Sequence, residues 1–327
     1  MEAQTGKLWS SESGAARGVR AELSVVTGAF GYTGKYITRR LLSTGQRVRT
    51  LTAHPSRPNE FGKQVEIAPL GFDNLRTLCE SLSGATTLFN TYWIRFNHGR
   101  TTFERAVENS KTLIQAAEDA GVRRIVHVSI TNPSLNSPLP YFTGKAEVET
   151  AIGASSLSYA ILRPTVIFGA EDILINNIAW LLKRAPLFAI PGSGDYRLQP
   201  VFVEDVAELA VDAARREANL ILDAAGPDVF TFEELVRLIA DVVQSRARIL
   251  HVGTGIALIL ARLLGWATRD VMLTRDEVDG LMANLLVSAQ PPTGRTRFST
   301  WLKENAYQLG TRYASELARH YRAPSAG

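Results

Sequence analysis

Three glycines close a short β-branched run near the start of the chain, in Ser24-Val25-Val26-Thr27-Gly28-Ala29-Phe30-Gly31-Tyr32-Thr33-Gly34. An apolar-periodic segment follows through Ile37, Leu41 and Leu42 and stops at Gly45. That order predicts a strand, a glycine turn and a helix. A helix start leaves backbone N–H groups without intrahelical acceptors, and the helix dipole adds positive potential there. An anion site is therefore expected, a diphosphate above all, held by the backbone of Gly28, Phe30, Gly31, Tyr32, Thr33 and Gly34. Glycine suits such a turn because a Cβ would forbid positive φ or hold the ligand away. The competing reading is a glycine-rich turn that carries no ligand.

Downstream, β-branched runs alternate with helical patterns. Val48–Thr52, Val65–Ile67, Ala85–Asn90, Arg124–Val128 and Ser158–Leu162 read as strands, with helices over Leu75–Leu82 and Phe103–Ala120 between them. This alternation predicts an α/β, Rossmann-type, doubly wound parallel sheet. Ligands of such sheets sit at the carboxyl ends of the strands, which brings Asn90, Thr91 and Tyr92 toward the site. An acid at the end of the second strand would favour NAD, but none lies between Thr50 and Asn59. His54 and Arg57 stand there instead, which favours NADP(H) over NAD(H). The alternative is that both side chains simply point into solvent.

Composition narrows the remaining choices. The 327 residues carry 36 basic and 32 acidic side chains, a net charge of +4, with the arginines scattered. No nucleic-acid surface is expected from that distribution. Cys79 is the only cysteine, which excludes an intrachain disulfide and a thiolate zinc cluster; no metal site is expected. The longest apolar run, Ile256–Ala261, meets Arg262 and is too short to span a bilayer. It is expected to be a packed helix, with a membrane-surface helix as the lesser alternative. Residues 1–22 are polar and lack a signal-peptide core, so they are read as a flexible tail of a cytoplasmic protein.

Tyr141-Phe142-Thr143-Gly144-Lys145 is the second informative stretch. Pro140 suits a first helical turn, which puts Tyr141 and Lys145 one turn apart on one face. A phenol is a poor acid–base group at neutral pH, and an ammonium beside it would favour the phenolate. Ser129 or Thr131, just past the fifth strand, could hydrogen-bond a developing alkoxide. A Tyr and a Lys on an ordinary helix face remain the alternative, as does a Lys145 that serves the cofactor alone.

The glycine turn, Tyr141–Lys145, Leu162–Gly169 and Gln199–Val206 together resemble the atypical and extended short-chain dehydrogenase/reductases. The nearest subgroup is the NmrA-like and complex I accessory-subunit-like set. The resemblance implies bound NADP(H), with Pro164 and Val166 near its carboxamide. It also implies Tyr141 and Lys145 as the acid–base pair, although relatives without the tyrosine act as redox sensors or structural subunits. Gly71 stands where such proteins often carry an adenine-binding aspartate.

The resulting expectation is a 23–223 NAD(P)-binding domain, with 171–196 contributing to a substrate lobe, and a mainly helical lobe over 224–327. Thr231 with Glu234, and Thr274 with Glu277, fit capping boxes in that lobe. Tyr92, Asn176 and Asn177 are the candidate substrate contacts by position. The leading expectation is an NADP-dependent oxidoreductase or epimerase acting on a small carbonyl or hydroxyl compound. The alternative is a non-catalytic NADP(H)-binding accessory or redox-sensing protein, docked on a protein partner or on a second copy.

Overall fold

The computed structural model describes residues 22–320. The tail expected over 1–22 therefore lies outside the described residues except for its last member. Strands and helices alternate through the first half except that β3 follows β2 with no α-helix between them: β1 (Leu23–Thr27), α1 (Tyr32–Ser43), β2 (Arg47–Thr52), β3 (Val65–Pro69), α2 (Leu75–Leu82), β4 (Thr87–Asn90), α3 (Phe103–Asp119), β5 (Arg124–Val128), α4 (Pro140–Ala154) and β6 (Ser158–Pro164). Then follow β7 (Val166–Phe168), α5 (Leu174–Arg184), β8 (Leu187–Pro191), β9 (Arg197–Leu198), β10 (Pro200–Phe202), α6 (Val203–Ala214) and β11 (Leu220–Ala224). The chain continues through β12 (Phe230–Thr231), α7 (Phe232–Val242), β13 (Arg248–Val252), α8 (Thr254–Thr268), α9 (Arg275–Met282), α10 (Phe298–Glu304) and α11 (Glu316–His320).

Seven strands form one parallel sheet in the order β11-β6-β5-β4-β1-β2-β3. β1 and β5 are buried along their whole length, as the apolar strands of a parallel sheet covered on both faces must be. Leu78, Leu113, Ile114, Val148 and Ile152 pack α2, α3 and α4 on one face. Ile37, Leu41, Val203, Ala207 and Val211 pack α1 and α6 on the other. The strand order reverses between β1 and β4. A crevice opens at such a switch point, beyond the carboxyl ends of the strands.

A second core gathers α5, α7, α10 and β8 around Phe168, Phe298, Leu235 and Ile239. The lobe is largely helical, with small two-stranded sheets pairing β8 with β13 and β9 with β12. Both expected capping boxes form, at Thr231–Glu234 and Thr274–Glu277. The Ile256–Ala261 run departs from expectation. It lies within α8, where only Ala257 and Gly265 are buried, and Ile256, Ile259, Leu263 and Trp266 face outward. Apolar residues occupy every side of this helix, so hydrophobicity alone did not say which side would be covered.

The approach of α1 to β1 depends on Gly34. A Cβ at Gly34 would stand 2.3 Å from the carbonyl oxygen of Gly28, whereas one at Gly153 on α4 meets nothing within 4 Å. Gly34→Ala should therefore lower unfolding free energy by about 1–3 kcal/mol in urea denaturation, as over-packing does. Gly153→Ala should be neutral or stabilising by up to about 1 kcal/mol. Equal effects of the two substitutions would contradict the close-approach account.

Candidate functional site

The turn between β1 and α1 builds the floor of the site. Gly28 N–H donates to Leu51 O at 3.0 Å and takes a positive φ of 69°. Gly31 N–H donates back to Gly28 O at 2.8 Å, and Ala29 N–H donates to Thr50 Oγ1 at 3.1 Å. Gly31 caps α1 without any side-chain hydrogen bond. Among the described residues, the amides of Phe30, Tyr32 and Thr33 meet no backbone acceptor outside the helix. The residues that carry these amides line a continuous cavity of about 1520 Å³. Uncapped amides on a side-chain-free turn, opening on a cavity larger than the ~300–1,000 Å³ of ordinary ligand pockets, fit the diphosphate of a dinucleotide.

The cavity brings most of the sequence-selected residues together. Gly28, Phe30, Gly31, Tyr32, Thr33 and Gly34 line one end, with His54 and Arg57 beside them. Arg57 is partly buried, and burial, followed by the neighbouring Arg319 guanidinium, holds its pKa below the ordinary arginine value. Arg319 also lies 5.7 Å from the Tyr32 ring, so a side chain of α11 reaches the start of α1. Nothing near the first strands signals this arginine, which arrives from the far end of the chain. Pro164 and Val166 line the cavity from β6 and β7.

The residues after β4 divide. Asn90 is fully buried behind the wall, where its Nδ2 donates to His127 Nδ1 at 3.1 Å and its Oδ1 accepts from Tyr92 N. Thr91 lines the cavity, and its hydroxyl donates to Thr27 O at 2.6 Å. The Tyr92 hydroxyl accepts from Asn109 Nδ2 at 2.8 Å.

Asn177 lines the cavity, whereas Asn176 does not. Asn176 Nδ2 donates to Asp172 O, and its Oδ1 accepts from Gly310 N. Asn177 grips Ala314 through both its amide donor and its carbonyl oxygen, at 3.0 and 2.8 Å. Both amide groups thereby fasten the C-terminal segment to α5, Asn177 from the cavity wall.

On α4, Tyr141, Lys145 and Glu149 succeed one another at one-turn intervals. Tyr141 packs edge-on against Trp93 and Phe103, and it lines the cavity. Burial, followed by the Glu277 carboxylate, raises its phenol well above the ordinary value, while Arg95 opposes that shift. The expectation that Lys145 would ease phenol ionisation is therefore not met. Lys145 Nζ instead donates to Val128 O at 2.8 Å and lies 4.5 Å from the Trp93 ring centroid. Burial lowers its pKa to about 7, against the pull of Glu149.

The Ser129 hydroxyl donates to Glu149, which Arg163 also clamps through Nε and a second guanidinium nitrogen. Thr131 is fully buried and outside the cavity lining, and its Oγ1 has no partner among the described residues. Neither hydroxyl is therefore disposed to donate to a cavity ligand as the sequence suggested. Glu149 and Arg163 were missed, although Glu149 lies two helical turns beyond Tyr141, on the same face. Arg95 was missed too. Its Nε donates to Glu277 at 2.5 Å and a terminal nitrogen donates to Met272 O at 3.1 Å, fixing α9 over Tyr141.

The sheet order and the βα alternation define a Rossmann fold, and the amide cradle stands at its switch point. Residues 28–176 match the NAD(P)H-binding family. Over 307 residues the chain is 26% identical to the mitochondrial NADH dehydrogenase [ubiquinone] 1 alpha subcomplex subunit 9 of Arabidopsis thaliana, covering 86% of this chain and 75% of the relative. It is 27% identical over 242 residues to the ceramide reductase of Caulobacter vibrioides, covering 72% and 74%. An Escherichia coli NADPH-dependent quinone oxidoreductase solved with NADPH superposes at a TM-score of 0.69 with 18% identity, over 87% of this chain and 98% of that one, and shows the shared fold. The chain has a Rossmann NAD(P)-binding fold related to that of the alpha subcomplex subunit 9 proteins of NADH dehydrogenase. The cytoplasmic location expected from the sequence is overturned by these relatives, which are mitochondrial by name. Among the described residues no helix is long and apolar enough to cross a membrane.

The Lys145 shift has a consequence for stability. The folded lysine releases its proton near pH 7, while the unfolded one keeps it to about 10.4. Between those values the unfolded chain binds more protons, so stability should rise with pH by up to about 1.36 kcal/mol per unit from this group. Chemical denaturation of wild type and Lys145→Met from pH 6 to 9 should show the difference moving in favour of wild type. A pH-independent difference would contradict the burial of Lys145.

Proposed function

We propose that this protein holds NADP(H) as a resident dinucleotide and acts as an accessory, partner-docked NADP(H)-binding protein. The observation that carries the reading is the amide cradle of Phe30, Tyr32 and Thr33, which shares one cavity with the Arg57–Arg319 pair. Two partly buried guanidiniums with no carboxylate between β2 and Asn59 suit a 2′-phosphate better than a free ribose hydroxyl. Kinship with accessory subunits supports the non-catalytic role. So do the raised Tyr141 phenol and the bond from Ser129 to Glu149, neither of which prepares proton transfer.

In fluorescence titrations NADPH should bind more tightly than NADH. Arg57→Ala combined with Arg319→Ala should cut that preference about tenfold or more, the loss of one or two charged contacts. Tighter binding of NADH to the wild type would contradict the reading.

A second reading, an NADP-dependent reductase or epimerase for a carbonyl or hydroxyl compound, is favoured by one observation. Tyr141 borders the cavity one turn from Lys145. The nicotinamide would supply hydride, and Tyr141 would move the proton at the substrate oxygen. NADPH oxidation measured across a carbonyl panel decides between the two. The accessory role predicts no turnover above background. Turnover that falls about 100-fold in Tyr141→Phe, with NADPH affinity intact, would establish the reductase instead.

A further inference from the structure

The cavity does not end at Tyr141. It continues into a chamber walled by Leu187 of β8, Leu250 and Val252 of β13, Leu281 of α9 and the inner side of α8. On α8 the lining residues Ala257, Leu260, Ala261 and Leu264 fall at i, i+3, i+4 and i+7 along one helical stripe, and the exposed Leu263 lines the cavity beside it. Of the charged residues of α9 that line the cavity, Glu277 pairs with Arg95, Arg275 pairs with Asp279, and Asp276 is exposed. These walls belong to the lobe, whereas the dinucleotide cradle belongs to the sheet. The two ends of the cavity therefore have different chemistry. One presents amides and guanidiniums, and the other presents aliphatic carbon.

The aliphatic end is also exposed to water. Leu187 is 52% exposed and Leu250 is 45% exposed although both line the chamber. Soluble monomers rarely leave contiguous apolar surface exposed unless it serves contact with a ligand or partner. A macromolecular partner would meet the outer stripe of α8, Ile256, Ile259 and Trp266, which does not line the cavity. The inner stripe is continuous with the Tyr141 end, and a molecule long enough to join the two ends would cover it.

We infer that this chamber is a binding site for the hydrocarbon tail of a long-chain amphiphile, whose polar head lies at the Tyr141 end of the cavity. A fatty-acyl chain and a polyisoprenoid chain share the required chemistry: flexible, elongated and free of charge along their length. The orientation of the head rests on the NADP(H) reading, while occupation of the chamber by the tail does not.

The test titrates the full chain with cis-parinaric acid, with and without saturating NADPH, and follows NADPH binding separately on every variant. Saturable binding is expected, displaced by palmitate or geranylgeraniol but not by butyrate. Displacement by palmitate alone assigns an acyl chain, and by geranylgeraniol alone an isoprenoid. Leu264→Asp and Leu250→Asp, on two different walls, should each weaken binding roughly tenfold or more, since a carboxylate there must be desolvated beneath the tail. Ile259→Asp, on the outer stripe, should leave affinity within about twofold while keeping the same fold. Absence of saturable binding, equal displacement by butyrate, or an equal loss in Ile259→Asp and Leu264→Asp would overturn the proposal. Parinarate binding without NADPH binding would instead leave the chamber standing and remove the NADP(H) reading.

Discussion

The structure depends on how closely a helix can begin behind a strand. Gly34 permits α1 to rest against the Gly28 carbonyl, and Gly28 supplies the left-handed turn that lets β1 pair with β2 and then reverse. Once that approach is made, the first amides of α1 point away from the sheet with no side chain to cap them. The cradle is thus a by-product of packing. The same absence of Cβ atoms that lets helix and strand touch also leaves donors uncovered at the crevice where the strand order reverses. Every other part of the site is placed relative to that crevice, β4 and β5 by pairing and the lobe by the clamps that run from α5 and Arg95.

Electrostatics in the middle of the cavity are governed by burial more than by neighbouring charge. The α4 row of Tyr141, Lys145 and Glu149 looks from its spacing like a phenol helped by an ammonium. In the folded chain the ammonium is desolvated, stacked on Trp93 and bonded to a backbone carbonyl, so its own proton is loosely held. The phenol meets the carboxylate of Glu277 from the lobe, and both effects push its proton toward retention. Glu149, the third member, is occupied by Ser129 and Arg163. A row that is simple in one dimension becomes three separate environments once the lobe closes over it.

The sequence disclosed what is local. The glycine turn, the βα alternation, the Tyr141–Lys145 spacing and both capping boxes are set by residues within one or two turns of each other, and each forms. What it withheld depends on distant partners. Asn176 and Asn177 read as pocket residues from their place after β7; only Asn177 lines the cavity, and the amides of both are engaged by Gly310 and Ala314, more than 130 positions away. Arg319 reaches Tyr32 from α11 for the same reason. Ser129 and Thr131 both follow the end of β5, yet only Ser129 lines the cavity, a distinction set by tertiary packing that no single-residue property records. For α8, composition gave the helix but not its covered face.

Amide hydrogen exchange over residues 28–36, measured on the protein alone and with saturating NADPH, tests the central claim most directly. The uncapped amides of Phe30, Tyr32 and Thr33 should exchange markedly more slowly when the dinucleotide is present, because its diphosphate accepts their protons. Unchanged exchange in this segment, under conditions where NADPH is demonstrably bound, would place the diphosphate elsewhere and contradict the account.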